Sequence, residues 1–308
     1  MKSPTEALRG LLSRKNSRSS ESMTAPAERL ALPALLLHAE KIAASLQVGT
    51  HGRRRAGSGE DFWQFRPYNA GEPATAIDWR QSARSPIDNT FWVREREREN
   101  AQSLLVWCDP SPSMDWRSAG TLPTKRERAQ LCTLALAGAA LRGGEKAGLL
   151  TGPEAGRTFA GRQVLGRLGE ALLHSSPDEP ELPPLDGIQP QTDLVLISDF
   201  LWEEDRIDAV LKHCANRPVR THLLCILDPG ERSLDQKGRI RFSGLEGGVL
   251  TLPAVESLGP AYEQAMSAHL AALQSSAGRL HADCIMHDTS QAPLPALLAL
   301  HLAMGGGR

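Results

Sequence analysis

Three short apolar runs, each closed by an aspartate, constrain this chain more than any other feature. Ser103 to Cys108 (SLLVWC) stops at Asp109, Asp193 to Ser198 (DLVLIS) at Asp199, and His222 to Leu227 (HLLCIL) at Asp228. Unbroken runs of this length read as strands buried on both faces of a sheet. Helical patterns separate them. Thr124-Lys-Arg-Glu127 is a capping-box sequence opening a helix through Leu141, whose small residues permit close packing on a sheet. Val164, Leu165, Leu168 and Leu172 form one apolar stripe, and Ile207, Val210, Leu211 and Cys214 another. A long helix from Glu256 to Ala277, a strand from Ala282 to Met286 and a helix from Pro293 to Met304 close the chain. Hairpins are expected at 146–160 and 239–252. Repeated strand–helix crossovers imply an α/β fold with a parallel-dominated, Rossmann-type sheet and helices on both faces.

Upstream the pattern is different. Ala27 to Leu46 reads as a helix interrupted near Pro33, and residues 49–89 mix Gly, Arg and aromatics without a helical period. Thr90 to Asn100 (TFWVREREREN) alternates as a strand, with Trp92, Arg94, Arg96 and Arg98 on one face, and is expected to pair with 102–108 as a hairpin. Residues 1–22 are polar and Ser-rich, which predicts a disordered tail, and Met23 stands where order begins. The expected organisation is a tail (1–22), a helix with a loop-rich module (23–100) and an α/β domain (101–308).

Composition narrows the class. Across 308 residues, 41% hydrophobic and 23% charged content fits a globular protein, and a net charge of -1 favours no charged partner. The Arg53–Arg55, Arg66, Arg80, Arg84 and Arg94/Arg96/Arg98 groups are nearly balanced by neighbouring acids, so ion pairing explains them better than nucleic acid does. Five scattered cysteines without C-x-x-C spacing read as reduced core thiols and point to the cytoplasm. Neither a transmembrane segment nor a secretory signal is expected.

Beyond the first strand, Asp109, Ser111 and Ser113 converge from one loop as a hard oxygen set suited to Mg2+. Strand ends are where open α/β sheets bind ligands. Asp199 is expected to join them, and Asp109 to be an exposed carboxylate that contributes little to the core. Asp228, before Pro229, reads as a turn and cap residue. The nine histidines show no ligand spacing. Phosphate-loop, nucleophile-elbow and dinucleotide-binding patterns are missing, and no nucleophile with a base is apparent.

These residues resemble a known group. Gly57-Ser-Gly-Glu-Asp-Phe62, Arg66-Pro-Tyr68, Gly71-Glu72, Ile77-Asp-Trp-Arg80 and Ser82-Ala-Arg84 are similar to the signature of the domain-of-unknown-function 58 (DUF58) family. In that family the segment precedes a von Willebrand factor A-like domain opening on D-x-S-x-S-M, here Asp109 to Met114; Ile197-Ser-Asp-Phe200 resembles a further metal-site motif. The resemblance implies a non-enzymatic adaptor that works with a MoxR-type AAA+ ATPase and with other von Willebrand A-like proteins. It also implies a metal-ion-dependent adhesion-type (MIDAS-like) site holding Mg2+ through Asp109, Ser111, Ser113 and Asp199. Such sites take a threonine from a second loop, and Thr158, in the corresponding region, falls within an expected strand, so a vestigial site that binds no metal is the alternative to one that holds Mg2+. A metal-dependent hydrolase using the same oxygens is the alternative, and a nucleic-acid-binding protein a weaker one. Trp63, Phe65, Tyr68 and Trp79 are expected to pack the signature module onto the main sheet.

Overall fold

In the computed structural model, the described residues are 25–48, 62–67, 77–84, 91–96, 103–174, 182–234, 238, 240–243, 249–252 and 258–306. The expected tail at 1–22 lies outside them. Along the chain run α1 (Ala25–Val48), β1 (Phe62–Pro67), a helical turn at Trp79–Ser82, β2 (Trp92–Arg96) and β3 (Ser103–Cys108). Then follow α2 (Lys125–Arg142), β4 (Lys146–Leu149), α3 (Val164–Leu173), β5 (Thr192–Ser198), α4 (Glu204–Ala215) and β6 (Val219–Leu227). The series ends with β7 (Ile240–Ser243), β8 (Val249–Leu252), α5 (Gly259–Arg279), β9 (Asp283–Asp288) and α6 (Leu294–Gly306).

Five strands form one parallel sheet in the order β4-β3-β5-β6-β9. On the free edge of β4, Ala147 forms an antiparallel bridge with Phe159, which is all that forms of the hairpin expected at 146–160. Gly148 makes that edge possible: a Cβ there would sit 1.9 Å from the Arg157 carbonyl oxygen. Counting the bridge, the order is the Rossmann-type 3-2-1-4-5-6, the architecture expected of a von Willebrand A-like domain.

Alternate residues of each central strand feed two cores, which is why the runs are apolar throughout. Leu104, Val106, Cys108, Val195, Ile197, Leu224 and Ile226 meet α1, α2, α3 and α6 on one face. Leu105, Trp107, Leu194, Leu196, Leu223, Cys225 and Leu227 meet α4 and α5 on the other. The five cysteines are free thiols, four of them buried. Burial pushes the Cys132 thiol up to about 12.

Three upstream expectations change. α1 runs through Pro33 without a break. It packs on α2, with Ala39, Ala43 and Leu46 fully buried, so it belongs to the α/β unit and not to the signature module. Among the described residues, chain contacts group 25–48 with 103–306 and set 62–96 apart as a second unit. The small residues of α2 explain the shift, because a Cβ on Gly138 would come within 3.2 Å of Ala43 Cβ. Finally, β2 pairs antiparallel with β1, while β3, buried on both faces, takes parallel neighbours on each side. The hairpin expected between 90–100 and 102–108 therefore does not form.

Within the second unit, the signature residues hold β2. Asp78 N donates to Trp92 O at 2.8 Å and Trp92 N to Ser82 Oγ at 2.8 Å. Trp79 packs edge-on against Phe91, with ring centroids 5.6 Å apart. Tyr68 and the side chains of Trp63 and Phe65 lie outside the described residues. Within the first unit, β7 and β8 form the antiparallel hairpin expected at 239–252.

Candidate functional site

The register places Cys108 opposite Ile197, which brings the ends of β3 and β5 level. From this pair of strands the chain departs in opposite directions, β3 towards β4 and β5 towards β6, and that divergence is the switch point where open α/β sheets bind ligands. Asp109 and Asp199 stand there. The ladder continues one step beyond the strands, since Asp109 N donates to Ile197 O at 2.9 Å.

All four expected residues meet at this edge. Asp109 Oδ1 accepts from Ser111 N at 2.8 Å and Oδ2 from Ser198 Oγ at 2.5 Å. The hydroxyls of Ser111 and Ser113 lie 3.0 Å apart, and Ser113 Oγ donates to Asp199 Oδ2 at 2.8 Å. Asp199 Oδ1 accepts from Leu201 N at 3.1 Å. One expectation fails: Asp109 is 0% exposed, because the parallel ladder encloses its carboxylate between its own loop and Ser198. Burial and the charge of Asp199 push Asp109 up to about 6. The backbone at Phe200 takes φ 51°, costly for a bulky side chain. It is held by Ser198 Oγ, which accepts from Phe200 N at 3.0 Å, and by His269 Nε2, 2.8 Å from the Phe200 carbonyl.

Sequence reasoning missed Lys125 and Glu231. The capping box is present as expected: Glu127 N donates to Thr124 Oγ1 and Thr124 N to Glu127 Oε2. It starts α2 so that Lys125 is the first helical residue, with its side chain fully buried. Lys125 Nζ lies 2.6 Å from Asp199 Oδ2 and also pairs with Glu231. Burial alone would lower its pKa, but Asp199 and Glu231 outweigh that and hold it above its ordinary value. Asp199 in turn is held below the usual carboxylate range, the Lys125 charge overcoming its burial. Glu231 is pushed up to about 7 by burial, against the pull of Lys125.

Asp228 caps the turn Pro229–Glu231, accepting from Gly230 N at 2.9 Å while its own N–H donates to Glu231 Oε2. It is more than a local cap, because its other oxygen accepts from Ser118 N at 3.1 Å and Thr289 Oγ1 at 3.2 Å. Arg126 bonds the carbonyls of Pro110 and Ser111 and pairs with Asp115. The exposed stretch 117–120 is thus held from within at Ser118, and Lys125 N, donating to Trp116 O at 3.3 Å, closes the loop at its base. Thr158 lies beside the edge bridge on β4. Among the described residues, no group of three or more His, Cys, Asp and Glu side chains is placed to hold a metal ion.

Residues 64–272 match the model of the family described as "Protein of unknown function DUF58". No curated protein matches the chain. Similar solved structures include the conserved hypothetical protein BatB from Bacteroides thetaiotaomicron, 15% identical, with a TM-score of 0.41, covering 67% of this chain and 100% of that one. An aerotolerance-related membrane protein from Bacteroides fragilis NCTC 9343, carrying multiple mutations to serines, is 18% identical, with a TM-score of 0.41 over 67% of this chain and 99% of that one. No helix among the described residues is long and apolar enough to cross a membrane.

Proposed function

Since the chain belongs to the DUF58 family, we propose that it is a non-enzymatic adaptor that works in the cytoplasm with a MoxR-type AAA+ ATPase and docks it through the carboxyl edge of the sheet. The observation that carries this reading is the pinned loop at the switch point. Arg117 to Gly120 is exposed, yet Asp228 fixes its backbone at Ser118, and the bond from Lys125 N to Trp116 O closes the loop at its base. A loop ordered before binding loses little entropy on association, which favours a docking surface. A hydrolase would need the strand-end oxygens open to substrate, whereas Asp109 and Asp199 are 0% and 1% exposed.

The family resemblance also implies Mg2+ at Asp109, Ser111, Ser113 and Asp199. In our reading these residues do not fit the ion as they are arranged. Asp199 Oδ2 already accepts from Lys125 and Ser113 and its Oδ1 from Leu201, while both Asp109 oxygens are taken by Ser111 N and Ser198 Oγ.

The test is co-purification of the full chain with the ATPase. Arg117→Glu, which reverses an exposed loop charge without touching the core, should reduce retention about tenfold, a loss of roughly 1.4 kcal/mol. Arg80→Glu in the other unit should leave it unchanged. Wild-type retention by Arg117→Glu would place docking elsewhere, and no retention of the ATPase by the wild type would remove it as the partner.

A further inference from the structure

Lys125 is placed against two ordinary preferences. A lysine is almost never fully buried unless paired, and a cation at the first position of a helix meets the positive end of its dipole. Its side chain is nevertheless 0% exposed at the start of α2, and what it meets there is carboxylate. Asp199 comes from the end of β5 and Glu231 from the turn after β6, so the ammonium joins three separate segments.

The partners are themselves anchored. The Glu231 carboxylate accepts from Asp228 N at 2.9 Å and its carbonyl from Tyr262 Oη at 2.7 Å. Asp199 is tied to Ser113 and Leu201. The pocket is therefore built around a cation, with its acceptors aimed inward.

The geometry points to Lys125 as the resident cation of this edge, filling with an ammonium the electrostatic role that a divalent metal ion would have at Asp199. Assembly of the strand-end loops is then independent of metal. An ammonium on a side chain is covalently retained, so chelation or metal scarcity does not open the edge. This inference concerns the site's own cation and holds whichever partner docks there, so the partner experiment and the one that follows can fail separately.

Thermal melting and calorimetry of the full chain test it. Wild-type protein, freed of metal with a chelator, should melt at the same temperature with and without added MgCl2 or MnCl2, and should show no saturable heat with either salt. Lys125→Met should melt about 10 °C lower, because it strands two buried carboxylates, and added Mg2+ should raise that melting point by several degrees by entering the emptied position. Should Lys125→Met fail to fold, Lys125→Met combined with Asp199→Asn and Glu231→Gln removes cation and anions together and should restore a cooperative transition. Saturable Mg2+ binding to the wild type with a raised melting point would overturn the inference. So would a Lys125→Met protein as stable as wild type, or a neutral triple variant that remains unfolded.

Discussion

Ser198 donates its hydroxyl to the Asp109 carboxylate across the β3–β5 boundary at 2.5 Å, and both residues are 0% exposed. The pair follows from register, because the residue after Cys108 must stand opposite the one after Ile197. Removing the hydroxyl leaves a buried acceptor without its donor, which costs about 1–3 kcal/mol. Ser198→Ala should lose that much in urea unfolding. Asp109→Ala should lose more than Asp109→Asn, since Asn keeps an acceptor for Ser111 N. Asp109→Ala within 0.5 kcal/mol of wild type, the ordinary scatter of surface changes, would contradict the burial described here.

Gly148→Ala tests the edge of the sheet. Its added methyl would sit 1.9 Å from the Arg157 carbonyl, and neither backbone can yield without losing the Ala147–Phe159 bridge. The expected loss exceeds about 2 kcal/mol. Gly120→Ala, with nothing within 4 Å of the new carbon, should be near neutral. Equal stability of the two variants would rule out the close approach.

Gly230→Ala links packing to docking. The new Cβ would come within 2.6 Å of Ser118 Cβ, in the exposed loop, while the core remains untouched. The loop should shift and ATPase retention fall about tenfold, roughly 1.4 kcal/mol, with a small change in melting temperature. Undiminished retention together with a large drop in melting temperature would show that this contact serves folding alone.

His287 supplies an acid-sensitive term. Arg128 can only donate, so the ring nitrogen 3.1 Å from it must be an acceptor, which requires the neutral imidazole. Burial, with the Arg128 charge adding to it, lowers the pKa to about 4. The folded state therefore binds fewer protons than the unfolded one between pH 6.5 and about 4. Stability from this group is complete above 6.5 and is lost as the pH falls through that window, by on the order of 3 kcal/mol at the limit. His287→Gln should flatten this part of the stability–pH curve. A variant curve parallel to wild type between pH 6.5 and 4 would assign the acid sensitivity to other groups.

The central sheet could be read from the sequence because both-face burial writes itself as unbroken apolar runs, and the Thr124–Glu127 capping box marked the start of α2 within one residue. The convergence of Asp109, Ser111, Ser113 and Asp199 was legible for the same reason: strand ends in a parallel sheet share one edge. Lys125 was not, because within a capping box a lysine reads as a solvated first-turn residue. A hint existed in its sign, since a cation is the wrong charge for a helix start. Glu231 was hidden likewise, three residues after a cap where it reads as capping-box filler. The burial of Asp109 and the pairing of β2 with β1 depend on which strands become neighbours, and that is decided by contacts far apart in the chain.

The β3–β5 ladder also sets a timetable for synthesis. β3 can pair with β4 early, but its other edge stays open until β5 has been made, about 90 residues later. At about 5–20 residues per second, that is roughly 4.5–18 s during which one side of SLLVWC presents unpaired backbone and apolar side chains. The nascent chain is thus most open to aggregation, and most in need of a chaperone, before Ser198 emerges to close on Asp109.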